Sequence, residues 1–193
     1  NNTAIGKDAL TALTSGIQNV AVGSTSLDAA TADNNNTAIG YASLTNNNGG
    51  ENCVAVGSFA LEENTTANNN TAVGTKALES NTTGTGNTAA GANALDANTT
   101  GNNSASFGMS SLGASTTGGN NCAFGHSALA ANTTASFNNA FGVDALKLNT
   151  TGTQNVAVGT FALDANSTGS NNVALGYSSL TTNTTASNNT AVG

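Results

Sequence analysis

The sequence of 193 residues contains no proline, no tryptophan, one histidine, one methionine and two cysteines. It carries only three basic and ten acidic residues, which leaves no basic stripe to neutralise phosphates and argues against nucleic-acid binding. No apolar run approaches the roughly 20 residues that span a bilayer, and no charged segment followed by an apolar one marks a signal peptide. Low charge and abundant polar residues are typical of disordered chains, but the apolar residues here are placed too regularly for disorder.

The sequence does contain one phrase repeated at a fixed interval. The phrase opens the chain as NNTAIG and closes it as NNTAVG. Its last glycine returns every 17 residues without insertion or deletion, at Gly6, Gly23, Gly40, Gly57, Gly74, Gly91, Gly108, Gly125, Gly142, Gly159, Gly176 and Gly193. A short fixed period indicates a repeat array rather than separate domains. We therefore predict one array over residues 1–193, with eleven 17-residue repeats and a six-residue partial repeat, and expect it to be a piece of a longer repetitive protein.

Numbering the positions of each repeat from one to seventeen, starting at Asn1, divides the sequence into seventeen columns. Column four is Ala throughout except Ser106, column five is mostly Val, Ile or Phe, and column nine is always Ala or Ser. Column ten is always leucine: Leu10, Leu27, Leu44, Leu61, Leu78, Leu95, Leu112, Leu129, Leu146, Leu163 and Leu180. Disordered chains have no reason to keep this register.

The repeat predicts an all-β fold, a parallel β-solenoid with one coil per repeat. Segments such as GTKALES contain helix-forming residues, but they are too short for a stable helix. Short strands between Gly and Asn turns fit the pattern better. Coils stacked at the strand spacing of about 4.8 Å would make a rod about 50 Å long.

Stacking turns each column into a ladder of like residues along the rod. We expect the leucines to fill the interior, the asparagines to bond their amides to one another, and the glycines of column six to permit a tight corner. An insertion of one residue would break every ladder, which explains why none occurs.

The small number of apolar residues predicts self-association, because one Leu and one Val or Ile per coil provide little burial for 17 ordered residues. Columns four and five face opposite sides of a strand, so either the Ala column or the Val/Ile/Phe column points outward. In either arrangement the outer face favours a partner, and the uncapped ends favour end-to-end stacking. The alternative, that column four lies at a bend and faces inside, stays open.

The two cysteines fall in different columns, Cys53 in column two and Cys122 in column three, four coils apart. The predicted separation of about 19 Å exceeds the Cα distance of about 7 Å that a disulfide tolerates. We predict no bond between them within one chain and expect two buried thiols, with pairing between chains as the alternative.

No residue pattern indicates catalysis, a cofactor or a metal, and we predict that the protein is not an enzyme. His126 lies in the variable column seven and is expected at the surface, with no selected nucleophile or acid. Glu62, Glu79 and Asp96 share column eleven in consecutive coils. Such a stack can hold Ca²⁺, but we expect these carboxylates to extend into water while Lys76 reduces their repulsion.

Three further ladders have alternative interpretations. Phe107, Phe124 and Phe141 in column five predict buried aromatic stacking, with sugar binding as the alternative. The Asn-Thr-Thr triplets match the N-glycosylation pattern but are explained by turn chemistry; they begin at Asn64, Asn81, Asn98, Asn132, Asn149 and Asn183. The threonine ladder of column fourteen includes Thr65, Thr82, Thr99, Thr116, Thr133 and Thr150.

The stretch NNTAVGTKALESNTTGT, from Asn69 to Thr85, resembles the repeats of bacterial and phage tail-fibre-domain proteins. It is more distantly similar to the SVAIG-type repeats in the head domains of trimeric autotransporter adhesins. The resemblance covers essentially the whole chain and implies homotrimeric β-solenoid fibres that serve attachment at cell or virion surfaces. The adhesin heads have a shorter repeat, and these residues include neither a self-cleaving chaperone domain nor a membrane anchor.

The leading functional hypothesis is a structural fibre or surface-adhesin shaft that associates with itself through small-residue β faces and displays variable columns for attachment. Its expected location is extracellular, on a cell surface or a virion, and its expected partners are itself and a cell-surface glycan or receptor. The alternatives are an ice-binding β-solenoid, based on the threonine ladder, and a carbohydrate-binding fibre module.

Overall fold

The computed structural model describes all 193 residues and contains twelve β-strands and no helix. Each strand occupies columns three to five of one coil: β1 (Thr3–Ile5), β2 (Val20–Val22), β3 (Thr37–Ile39), β4 (Val54–Val56), β5 (Thr71–Val73), β6 (Thr88–Ala90), β7 (Ala105–Phe107), β8 (Cys122–Phe124), β9 (Asn139–Phe141), β10 (Val156–Val158), β11 (Val173–Leu175) and β12 (Thr190–Val192). The remaining columns form turns and bends.

The strands form a single parallel sheet in chain order, from β1 to β12. Every pair is shifted by one period, so that Thr71 is paired with Thr88 and Val73 with Ala90. Residues separated by 17 positions therefore lie next to each other throughout the sheet. The predicted β-solenoid is confirmed, with one short strand in each of eleven complete coils.

Most of the hydrogen bonding between coils lies outside the strands. Of 122 backbone hydrogen bonds, only 22 lie within the strands and the other 100 lie in turns and loops. In the turn after β5, for example, the Leu78 amide donates to the Ala94 carbonyl of the next coil at 3.0 Å, and the Lys76 amide donates to the Ser58 carbonyl of the previous coil at 2.9 Å. The whole outline of the coil is thus a stacked unit, because its turns pair with neighbouring coils as its strand does.

The turn after each strand uses left-handed backbone conformations at fixed columns. Gly74 of column six has φ +135, and a Cβ there would lie 2.6 Å from the Gly91 carbonyl oxygen, so only glycine fits this corner. Lys76 of column eight and Leu78 of column ten have φ of 60 and 53. Non-glycine residues reach this region only at a conformational cost, which the burial of the leucine offsets.

The core is a narrow column of alanine and leucine. One cluster of 27 buried apolar residues runs through the coils, formed mainly by columns four, nine and ten. Ala77 and Leu78 are neighbours in sequence yet both are fully buried. Nine of the eleven leucines of column ten are fully buried; Leu10 is 9% exposed and Leu180 is half-buried, at the two ends of the array.

The asparagines of column two bond mainly to the backbone, and only Asn155 and Asn189 also donate to the carboxamide of the preceding coil. Asn70 Oδ1 accepts a hydrogen bond from the Asn87 backbone amide at 2.8 Å. Asn87 Nδ2 in turn donates to the Gly101 carbonyl of column sixteen at 2.8 Å. Each of these buried side chains therefore ties its strand entry both to the next coil and to the opposite wall of its own coil.

The asparagines of column thirteen form the expected amide ladder. Asn81 Nδ2 donates to Asn64 Oδ1 at 3.0 Å and to the Gly84 carbonyl at 3.0 Å, and Asn98 Nδ2 donates to Asn81 Oδ1 at 2.7 Å. All donors point towards the amino-terminal end of the rod, so the amide dipoles add.

A carboxylate caps the donor end of this ladder. The first member, Asn47, follows Ala30 in its column and has no carboxamide to bond to, and its Nδ2 donates instead to Asp33 Oδ2 at 2.6 Å. Asp33 is 3% exposed and also accepts from the Gly49 amide at 2.7 Å. Burial raises the pKa of this carboxyl, and the two hydrogen bonds oppose that rise.

Candidate functional site: the outer face of the sheet

The orientation of the strands decides which column faces outward. The alanines of column four are fully buried from Ala21 to Ala174, whereas Val73 of column five is 44% exposed. The Ala column therefore points inward, where small side chains leave room for the leucines. As a correction to the expected lateral packing of small-residue faces, the alanines of this column are not available at the surface.

Columns three, five and seven together form the outer face, the name used here for this surface. Large apolar side chains are exposed along it from end to end: Ile5, Ile39, Tyr41, Val73, Phe107, Met109, Phe124, Phe141, Val143, Val158, Leu175, Tyr177 and Val192. Columns three and five carry no ionisable side chain apart from the thiol of Cys122, and column seven adds only Lys7, His126 and two tyrosines. The outer face is therefore a nearly uncharged apolar stripe that runs the length of the rod.

An aromatic stack lies in the middle of the outer face. The ring centroids of Phe107 and Phe124 are 4.6 Å apart, and those of Phe124 and Phe141 are 5.0 Å apart, with the planes within 10° of parallel. The stacking was predicted, but the burial was not correct. Each ring is 36% to 40% exposed in the single chain, because column five points away from the core.

The two cysteines lie on opposite sides of the coil wall. Cys53 replaces an asparagine in column two and is fully buried, and this burial raises the pKa of its thiol. Cys122 lies in column three on the outer face and is half-buried, so the expectation of two buried thiols holds only for Cys53. Both thiols are free.

The acidic residues of column eleven lie beside one lysine. Lys76 Nζ is 2.9 Å from Glu79 Oε1, and this pairing raises the pKa of Lys76. Burial raises the pKa of Glu62 and of Asp96 in the coils on either side. All three carboxylates are half-buried rather than fully extended into water. No group of three His, Cys, Asp or Glu side chains is arranged to hold a metal ion.

The two threonine columns differ in how their hydroxyls are used. In column fourteen the hydroxyl of Thr82 donates to the Thr99 carbonyl at 3.0 Å, and the same bond recurs in other coils. The threonines of column fifteen are exposed, and their hydroxyls make no hydrogen bond to the protein: Thr66, Thr83, Thr100, Thr117, Thr134, Thr151, Thr168 and Thr185. The threonine ladder predicted from the sequence is column fourteen, whereas column fifteen holds the free hydroxyls.

The asparagines of the glycosylation pattern belong to the amide ladder. Five of the six that were named are at most 1% exposed: Asn64, Asn81, Asn98, Asn132 and Asn149. Their Nδ2 atoms are engaged with neighbouring carbonyl oxygens. The folded coil therefore does not offer these nitrogens for modification, and only Asn183 is half-buried.

The remaining surface offers no enclosed site. His126 lies exposed in column seven; its carbonyl accepts from the Asp144 amide at 3.0 Å, whereas its side chain forms no hydrogen bond or ion pair. No pocket opens into the rod, and the chain contains no helix long and apolar enough to cross a membrane. No protein-family model and no curated protein matches the chain.

Proposed function

We propose that this chain is a segment of a structural fibre shaft, which provides length and stiffness and packs laterally against copies of itself through the outer face. The observation that carries the proposal is the row of apolar side chains that column five exposes from Ile5 to Val192, interrupted only by the half-buried Val22, Val56 and Ala90. An apolar stripe of this length is unusual on a monomeric surface and is typical of an interaction surface.

The dimensions of the outer face support a partner of the same kind. Taking about 50 Å for the stacked coils and about 15 Å for five residues across them, the outer face covers about 750 Å², close to the roughly 800 Å² per partner of a standard interface. Because every coil presents the same columns, each contact with a second copy would be repeated along the rod. The near absence of charge on the outer face removes the repulsion that a chain of net charge -7 would otherwise bring to self-association.

The number of chains and the location follow from the resemblance alone. Tail-fibre-domain repeats and trimeric adhesin heads imply three chains and display at a cell or virion surface, and we propose both for this protein. Attachment would then use the variable columns that the partner chains leave uncovered.

Sedimentation velocity combined with electron microscopy tests the shaft. We expect rods that are oligomeric at micromolar concentration and shift to smaller species on dilution. The triple variant F107T/F124T/F141T removes the aromatic stack from the outer face and is expected to weaken association at least tenfold.

Phe137 supplies the matched control, because it is 57% exposed but lies in column one, off the outer face. The F137T variant should associate like the unmodified chain. A chain that is monomeric at every concentration, or a triple variant that associates as well as the control, would contradict lateral packing through the outer face.

A second candidate function, ice binding, is favoured by column fifteen. Its eight exposed threonines occupy consecutive coils, so their free hydroxyls repeat at the coil spacing of about 4.8 Å. The backbone beneath them is fixed by the hydroxyls of column fourteen, which bond to the next coil. A rigid, uncharged and evenly spaced hydroxyl array is suited to an ordered water lattice.

Thermal hysteresis measures this activity directly. T100Y/T117Y interrupts column fifteen and should abolish the hysteresis. The control T75Y/T160Y adds the same bulk to column seven, which already holds Tyr41 and Tyr177, and should leave it unchanged. Zero hysteresis in the unmodified chain would exclude ice binding. Carbohydrate binding at the variable columns stays a prediction that a glycan array tests.

A further inference from the structure

The seventh coil, residues 103–119, departs from the asparagine pattern of its neighbours at two interior positions. Serine replaces asparagine at Ser104 in column two and at Ser115 in column thirteen, and both side chains are buried. Each replacement removes two heavy atoms from the interior and leaves a hydroxyl that keeps one long hydrogen bond to the usual partners of a carboxamide, at 3.5 Å for Ser115 and 3.3 Å for Ser104. The consequences are visible in the neighbouring coils.

In a regular coil the column-thirteen carboxamide makes three hydrogen bonds. Asn149 is an example: its Nδ2 donates to Asn132 Oδ1 at 3.1 Å and to the Gly152 carbonyl at 2.9 Å, and its Oδ1 accepts from Asn166 Nδ2 at 2.8 Å. The side chain thus offers two donors and one acceptor to three fixed partners.

At Ser115 all three partners lose their usual bond. Asn98 Oδ1 is buried and has no hydrogen-bond partner. The Gly118 carbonyl accepts only from Ser115 Oγ, at 3.5 Å. In regular coils the column-two asparagine also donates to this carbonyl, as Asn87 does to Gly101, but column two holds Ser104 here. Asn132 Nδ2 donates to the Ala135 carbonyl of its own coil at 3.0 Å. Its second N–H group has no carboxamide oxygen to bond to, because the residue below it in column thirteen is Ser115.

We infer that one buried water molecule occupies the position of the missing carboxamide in the seventh coil. It donates one hydrogen to Asn98 Oδ1 and the other to the Gly118 carbonyl oxygen, and it accepts a hydrogen from Asn132 Nδ2. Three hydrogen bonds are typical of a buried water, and a water needs about 30 Å³, which is comparable to the two heavy atoms that serine lacks. An unpaired buried acceptor is costly, so the water stabilises this coil.

The chemistry of the site favours water over a cation. Two neutral oxygens, Asn98 Oδ1 and the Gly118 carbonyl, are acceptors that either a cation or a hydrogen-bond donor could satisfy. Asn132, however, directs an N–H group at the same point. A cation would face that hydrogen, whereas a water accepts from it. The bridged site would also connect the ladder that ends at Asn98 with the one that begins at Asn132, so that hydrogen bonding runs from Asp33 to Asn183.

A crystal structure at a resolution that shows ordered water tests the inference on the full chain. We expect one density peak within hydrogen-bonding distance of all three partners. In S115N the new carboxamide should replace this peak, pair with Asn98 and Asn132, and raise the midpoint of thermal unfolding.

The reciprocal variant N64S makes the same replacement in the fourth coil. It should acquire a matching peak between Asn47 and Asn81 and unfold at a lower temperature, which keeps the test decisive if S115N folds poorly. Three results would overturn the inference. The site could be empty; it could hold a peak whose contacts are too short for water, with Asn132 turned away; or S115N could fail to raise the midpoint of thermal unfolding.

Discussion

The inner and outer columns of the same coil obey different rules. The inner columns hardly vary: Ala in column four, Leu in column ten and mostly Asn in columns two and thirteen. The outer columns five and seven range from Ala to Phe and from Lys to Tyr. An inner side chain must pack against or bond with the same column in both neighbouring coils, so one replacement affects three coils. The inner columns therefore specify the rod, and specificity for a partner is left to the outer ones.

The largest expected effect is at a corner glycine. Gly125 has φ +142, and a Cβ there would lie 2.3 Å from the Gly142 carbonyl oxygen. We expect G125A to lower the free energy of unfolding by about 3 kcal/mol or more, from backbone strain and overpacking together.

Urea unfolding followed by circular dichroism measures the change at this corner. H126A, the next residue along the chain and exposed on column seven, is the control and should stay within about 0.5 kcal/mol of the unmodified chain. Equal stability of G125A and H126A would mean that the corner is not as close as the structure places it.

The next effect contrasts two apolar side chains of one coil. Leu78 is fully buried and Val73 is 44% exposed. L78A should cost about 2–5 kcal/mol because it leaves a cavity in the core, whereas V73A should cost less than about 1 kcal/mol in the monomer. The same urea experiment, at a concentration where the chain is dissociated, separates them. Similar losses for both variants would show that the two columns are not inner and outer as described.

The smallest effect is the dependence of stability on pH. Burial raises the pKa of Asp33 and Asp96 above 3.8 and that of Glu62 above 4.5. These carboxyls bind protons more readily in the folded chain, so the free energy of unfolding should rise as pH falls from about 7 towards these unfolded values.

Urea midpoints between neutral and mildly acidic pH test this sign. The variant D33N/E62Q/D96N should show a flatter profile than the unmodified chain. A stability that falls on mild acidification in the unmodified chain, with the same slope in the variant, would contradict the prediction. The raised pKa of Lys76 has the same sign, because the folded chain again binds the proton more tightly, but it acts only at alkaline pH, where stability falls as this charge is lost.

The stacking of the coils was predictable because its cause is periodic. The fixed step of 17 residues and the unvarying Leu, Gly and Ala columns require that each residue lie on its equivalent in the next coil. The orientation of the strand was not predictable in the same way. Alanine in column four is compatible with either the inner or the outer face of the strand. Which face it takes depends on the space that Leu78 and its equivalents occupy inside, which is a property of the closed coil.

Two further features lacked a local signal. Leucine has no preference for left-handed backbone, yet Leu78 has φ 53 because the turn brings it inside beside Ala77. The exposure of the phenylalanine stack also could not be read from its residue type, which favours burial. The asparagines within each column were expected to bond to one another. Column thirteen does so in most coils, whereas column two does so only at Asn155 and Asn189. Elsewhere column two bonds to the backbone, a distinction that depends on the distance across the coil.

The most direct test of the stacked register is a pair of engineered cysteines in neighbouring coils. In a chain with Cys53 and Cys122 replaced, T83C and T100C place two exposed thiols in column fifteen. Their Cα atoms lie about 4.8 Å apart, within the Cα–Cα range of a disulfide. We expect rapid, nearly complete oxidation of this pair, and little oxidation for T83C with N103C, because residue 103 lies three residues beyond Thr100 along the coil. Equal oxidation of both pairs, or none of the first, would contradict it.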